Sequence, residues 1–210
     1  MFVFMKNALV LFVVLAVSYS ATAFQQEQWE FYPPDYAQIR ENITQSRSPL
    51  FYPALVERFN RADTTLTNEQ IRHLYYGYQF QPTYTPYSTS AYADSIQGVF
   101  NQKQKLTEAD YHKVLRFSDS VLIQNPFDFR MMNYQLFALK ELKKQTDFNR
   151  RFYQANALLD AILSTGDGMS KETAIWVIYV SNEYDLLRLL GSQYAGEQRL
   201  IDTCDFLKVA

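Results

Sequence analysis

The sequence predicts a mostly α fold of seven or eight short helices stacked as antiparallel pairs, closed at the C-terminal end by a small antiparallel β element. Three observations carry that expectation. Apolar residues recur at three- and four-residue spacing through most of the chain. Gly and Pro number only 6 and 7 in 210 residues, and every Pro lies between Pro33 and Pro126, too few turn-formers for an all-β sandwich. After Gly168 the character changes to a continuous apolar run rich in β-branched and aromatic residues, Ala174 to Val180, which suits a buried strand, with a buried helix as the alternative.

The helices follow in order. Phe24 to Pro34 has no period and predicts an extended lead-in. Ile39 and Ile43 fall one turn apart in a short helix over Tyr36 to Arg47 that stops before Pro49. Tyr52 to Ala62 tolerates Pro53 in its first turn and sets Leu55, Val56 and Phe59 on one face. Thr67 with Gln70 three residues on has capping-box spacing, and the helix it opens carries Ile71, Leu74, Tyr75 and Tyr78. Prolines and aromatics break any period from Gln79 to Thr89, a loop. A helix over Ala91 to Gln102 turns Tyr92, Ile96, Val99 and Phe100 inward. Thr107 with Asp110 starts another, whose stripe Tyr111, Val114, Leu115, Ser118, Val121 and Leu122 runs to the stop at Asn125-Pro126. Phe129, Met132, Leu136, Leu139 and Leu142 line the next. Thr146-Asp147 caps one carrying Phe152, Ala155, Leu158, Leu159, Ile162 and Leu163, ended by Thr165-Gly166-Asp167-Gly168. Asn182 to Leu190 is helical again, and Cys204 to Val209 is a second strand expected to pair with Ala174 to Val180. A two-stranded element is marginal alone, so it must pack on helices or await a third strand.

Charge and cysteine content narrow the function classes. The formal net charge is −2, and the basic clusters at Lys140, Lys143, Lys144 and at Arg150, Arg151 lie on helical segments as solvated faces, so no nucleic-acid footprint is expected. The single cysteine, Cys204, cannot close an internal disulfide and sits in a hydrophobic setting that suits an inert buried thiol. Residues 1–23 have the layout of a cleaved signal peptide: Lys6, an apolar stretch from Ala8 to Val17, then Ala21-Thr22-Ala23. The apolar stretch is shorter than the roughly 20 residues a span needs. The expectation is an exported protein, periplasmic or at the surface of a bacterium, with one domain over residues 24–210 and no membrane span after cleavage.

Two resemblances extend this reading. Tyr111 to Leu163, with its helix, Asn-Pro turn and further helices, resembles a tetratricopeptide-type segment in the placement of Pro126, Phe152 and Ala155, though Leu136 and Phe148 stand where that repeat wants small residues. Over nearly the whole of residues 24–210, a series of blocks resembles an exported Bacteroidetes family, the domain-of-unknown-function family 4919. These blocks are Phe51 to Phe59, Asp63 to Thr67, Arg72 to Tyr78, Tyr84 to Tyr87, Gly166-Asp167-Gly168, Asn182-Glu183-Tyr184 and Cys204 to Leu207. That resemblance implies export and a shared fold without any activity. It also implies that members continue past the Cys-Asp-aromatic block, which this chain does for only a few residues.

Each candidate site residue also has an ordinary structural role. Tyr75, Tyr76, Tyr78, Phe80, Tyr84, Tyr87 and Tyr92 cluster in a stretch without Asp, Glu, Lys or Arg from His73 to Ala93. Tyrosine faces suit stacking on sugars or anchoring a peptide, and equally suit a core under an ordered loop. Arg58 and Arg72 come from neighbouring helices and could fork an anionic group, although pairing with Glu57, Asp63 or Glu69 is the commoner fate. Asp167 lies in a flexible turn near Glu172, without the ligand pattern of a calcium loop or the Gly-Lys-Ser/Thr of a phosphate loop. Glu183 and Asp185 diverge on a helix and would need a carboxylate from elsewhere to act as an acid/base pair. His73 and His112 have no partner at metal-ligand spacing, so neither a metal nor a cofactor is expected. No nucleophile elbow or dinucleotide turn occurs. The reading that results is a non-catalytic binding or scaffolding module for an envelope protein; the alternatives are glycan binding through the Tyr-rich loop and, below that, a hydrolase.

Overall fold

The computed structural model describes residues 30–87 and 90–210, so the signal-peptide segment and most of the lead-in lie outside the described residues. Among the described residues, eight α-helices are followed by one hairpin: α1 (Tyr36–Asn42), α2 (Tyr52–Asn60), α3 (Asn68–Gly77), α4 (Ala91–Phe100), α5 (Glu108–Gln124), α6 (Phe129–Glu141), α7 (Gln145–Leu163), α8 (Val180–Leu189), β1 (Tyr194–Ile201) and β2 (Cys204–Val209). A short 3-10 turn, Tyr78–Phe80, follows α3. Helices α4 to α7 pack each on the next, α3 packs on α7, and α1 and α2 pack on α3. No helix among the described residues is long and apolar enough to cross a membrane.

Local chemistry sets most boundaries. Thr67 and Thr107 each form a full capping box, with Gln70 and Asp110 returning the bond to the cap backbone. Asp35, Ser90 and Asp128 cap α1, α4 and α6. The expected cap for α7 is not found: the helix begins at Gln145 after Lys144, with no side-chain cap bond. There Lys143, in the left-handed region at φ 55°, reverses the chain after α6, and the helix starts before Thr146 is reached.

Helix α3 is the centre of the main core. Every residue from Ile71 to Gly77 is buried, because α1, α2 and α7 cover it from three sides. Gly77 permits this approach, since a Cβ there would lie 3.1 Å from Ile43 Cγ2 and 3.4 Å from the Tyr52 ring. Tyr75, Tyr76, Phe127 and Phe59 interlock edge-on or tilted, with centroids 4.9–6.1 Å apart. A second, smaller core of Ile96, Val121 and Met131 joins α4, α5 and α6. Two residues expected inside are at the surface: Tyr92 stacks on Phe117 and Phe152 on Phe148, both exposed.

The largest departure concerns residues 174–180. Residues 174–179 form neither a strand nor a helix but an irregular extended segment leading into α8, whose first residue is Val180. Its backbone is held by side chains instead of a ladder. Trp176 N–H donates to Thr165 Oγ1 (3.0 Å), Trp176 O accepts from Tyr76 (3.0 Å), Ile178 N–H donates to the Tyr75 hydroxyl (3.1 Å), and Ile178 O accepts from Tyr84. Ile178 and Tyr179 are buried in the main core, Ile175 and Val177 pack against it half-buried and Trp176 is exposed, and the hydroxyls satisfy the backbone groups that packing against α3 would otherwise orphan.

Strand β2 exists as expected, but its partner is β1, with Ile201 opposite Cys204 and Gln198 opposite Leu207. Asp202, at φ 53°, makes the turn, and an irregularity falls between Tyr194 and Gln198, where Gly196 sits at φ 80°. The hairpin is tied to α8 by the Tyr184–Tyr194 ring pair and a Tyr184–Gln198 hydrogen bond (2.7 Å), and to the segment between α7 and α8 by the Lys171–Asp202 ion pair. Leu200, Ile201, Phe206 and Val209 are exposed on it, and Cys204 is half-buried, more open than an enclosed thiol.

Candidate functional site

The structure separates the predicted site residues into three environments. Tyr75, Tyr76 and Tyr78 are buried core residues, not a surface. The Tyr75 hydroxyl donates to Asn182 Oδ1 (2.7 Å), and burial pushes its ionisation far above the ordinary tyrosine range. Tyr84 is half-buried against Tyr78 and Tyr179, while Tyr87, at 79% exposure, projects into solvent and Tyr92 lies exposed on α4. The aromatic cluster is therefore mostly the device that holds residues 174–180, which explains its density and its lack of charge.

Arg58 and Arg72 do not converge. Arg58 Nε donates to Asp63 Oδ2 (2.7 Å) and its Nη2 to Thr65 (3.1 Å). Bonds from Thr65, then from Arg58, hold the Asp63 carboxyl well below its usual range. Arg72 is buried and donates to Ser164 Oγ (2.5 Å) and to the carbonyls of Tyr32 (2.7 Å) and Pro33 (3.4 Å), pinning the N-terminal arm against the end of α7. The Asn42 amide donates to His73 Nε2 (3.1 Å), which leaves the ring proton on Nδ1 to donate to Glu69 O (2.9 Å). His73 is thus a helix-packing group, while His112 is exposed near Glu108.

Arg72 and Asp167 do come together, across a groove of about 1100 Å³. Its walls are the arm 30–35, α1, the first turns of α3, the end of α7 and the Gly166–Asp167 turn. Phe31, Ile39, Leu163 and Leu190 supply apolar surface; Glu30, Asp35, Glu69, Asp160 and Asp167 bring five carboxylates against the one guanidinium of Arg72. Arg72 is already occupied by Ser164, the arm carbonyls and Glu69, 3.6 Å away. Asp167 is fixed by Thr173 Oγ1 (2.5 Å) and Met169 N–H (3.0 Å), and these bonds keep it ionised by lowering its pKa. Gly166 is required here: a Cβ would drive into the carbonyl oxygens of Thr173 and Ala174. Gly168, at φ 70°, completes the reversal.

Glu183 lines neither this groove nor the smaller cavity beside α8. It is half-buried, with Oε2 enclosed and without a partner among the described residues. Burial, then Asp205 nearby on β2, pushes its pKa up to about 7. Asp167 and Glu183 are therefore not placed as a carboxylate pair in one cleft. The groove itself was beyond sequence reasoning: its five carboxylates come from four separate segments, and only Arg72 and Asp167 stood out individually.

No curated protein and no solved structure matches this chain. Residues 37–210, from α1 through the hairpin, match a family as one continuous unit, and the chain belongs to that family, described as Domain of unknown function (DUF4919).

Proposed function

We propose that the protein is a non-catalytic binding module that takes a basic, partly apolar segment of an envelope protein into the groove between the N-terminal arm, α1, α3 and α7. The observation that carries this reading is charge complementarity: five carboxylates rim an apolar floor, and the one arginine among them is spent on internal contacts. A cavity of about 1100 Å³ is at the upper end of small-ligand sites and suits several residues of an extended peptide. Lys or Arg side chains of such a peptide would reach the rim while its apolar residues cover Phe31, Ile39 and Leu163. The signal-peptide layout of residues 1–23 supports an encounter outside the cytoplasm. A glycan surface on the Tyr-rich loop has less support, since most of that cluster is core.

The test is fluorescence anisotropy with labelled peptides of alternating Lys and Leu against equal-length peptides of alternating Glu and Leu. The Lys series should bind with an affinity that falls as salt rises, and Asp160→Lys should weaken it. Equal binding of the Glu series, or indifference to Asp160→Lys in a folded variant, would overturn the reading.

A further inference from the structure

A second cavity, of about 360 Å³, lies where α6, α8 and the start of β1 meet, and is lined by Arg130, Tyr184, Leu187, Arg188, Gln193 and Tyr194. Its two arginines are held by one buried group. Asp185, 5% exposed, accepts on a single oxygen from Arg130 Nε (3.2 Å), Arg130 Nη2 (3.0 Å) and Arg188 Nη2 (3.2 Å). Arg188 Nε is turned back to Tyr184 O (3.4 Å). Among the described residues the Nη1 groups of both arginines donate to no protein acceptor. A buried carboxylate that grips two guanidiniums fixes them before any ligand arrives, which lowers the ordering cost of binding. Two guanidiniums against the Asp185 carboxylate leave a single net positive charge, which a second carboxylate nearby, Asp128, offsets in part. The site therefore matches a monoanion better than a phosphate dianion. Beside the arginines, Tyr184 and Tyr194 meet edge to face at 5.4 Å, and half-exposed Tyr194 offers a flat apolar surface.

We infer that this cavity binds a small monocarboxylate with a ring-shaped body, its carboxylate on the free guanidinium edges of Arg130 and Arg188 and its ring against Tyr194. The site is independent of the acidic groove, which selects the opposite charge.

The experiment is a titration of the full 210-residue chain, followed by amide NMR shifts, with glucuronate and benzoate as probes. Glucose and benzamide serve as neutral controls and inorganic phosphate as the anion control. At least one acid should saturate with a Kd on the order of 0.1–1 mM, moving resonances of Tyr184, Arg188 and Tyr194, with its neutral analogue at least about tenfold weaker. Arg188→Gln should lower the affinity about tenfold, since Arg130 remains to pair Asp185. Arg188→Lys, which keeps charge but not the fork, should fall between. Should Arg188→Gln fail to fold, Tyr194→Ala supplies the same readout from the exposed hairpin. Glucuronate and benzoate differ in ring chemistry, so their ranking distinguishes a sugar acid from an aromatic acid. The inference is overturned if neither acid binds, if phosphate outcompetes them, or if affinity is unchanged in the folded variants.

Discussion

Replacing Tyr75 by Phe tests the central claim about residues 174–180, because it deletes one oxygen from a fully buried ring and nothing else. That oxygen donates to Asn182 Oδ1 (2.7 Å) and accepts from Ile178 N–H (3.1 Å), joining α3, the extended segment and α8. Without it, Ile178 N–H and Asn182 Oδ1 are both left enclosed, and the vacated space of one hydroxyl is too small for a replacing water. Each orphaned group costs about 1–3 kcal/mol, and partial relaxation brings the expected loss to about 2–4 kcal/mol. For a domain of this size that is a fall in Tm of roughly 5–10 °C. Tyr84→Phe removes a comparable bond to Ile178 O at a half-buried position where water can substitute, so its loss should be near about 1 kcal/mol. Urea unfolding of the three proteins, with hydrogen exchange at the Ile178 amide, measures both effects. A Tyr75→Phe loss below about 0.5 kcal/mol, or an Ile178 amide that exchanges freely in the parent protein, would refute the view that hydroxyls replace a strand ladder here.

Other expectations follow from single sites. Gly166→Ala forces a Cβ into the Thr173 and Ala174 carbonyls and should destabilise by at least about 2 kcal/mol in urea unfolding, whereas Gly98→Ala, with open space around it, should be neutral or stabilising. Glu183 binds its proton more tightly in the folded state, with a pKa of about 7 against an ordinary 4.5. Stability should therefore decline as pH rises from 4.5 through 7, by about 1–2 kcal/mol once solvent screening of a half-exposed group is allowed for, and Glu183→Gln should flatten that slope. Asp63 is shifted the other way, below its ordinary 3.8, by Thr65 and then Arg58. Its contribution is present above pH 3.8 and lost only as pH falls well below it, so Asp63→Asn should lower Tm at pH 7 and lose that effect in strong acid.

What could be read from the sequence was whatever depends on near neighbours in the chain. Capping at Thr67 and Thr107 needs a residue three places on, and the α5 stripe from Val114 to Val121 needs only the helical period. The signals failed where two structures share one pattern. Ala174 to Val180 is apolar and β-branched because Ile178 and Tyr179 enter the core and Ile175 and Val177 pack against it, and such packing alone does not specify a ladder when Tyr75, Tyr76 and Tyr84 supply the hydrogen bonds from about 100 residues away. The same long-range pairing decided the fate of the tyrosines, which look identical in sequence whether they face a core or a ligand.

The sequence by itself determined an all but continuous series of helices, the caps at Thr67 and Thr107, a C-terminal strand and the family the chain belongs to, since these rest on local spacing and ordered blocks. Only the tertiary structure decided that Arg72 is a strut for the arm, that five dispersed carboxylates rim one groove, and that Asp185 gathers Arg130 and Arg188 beside two tyrosines. Electrostatic fields and cavities are properties of groups brought together from distant segments, and no spacing within one segment encodes which of them will meet.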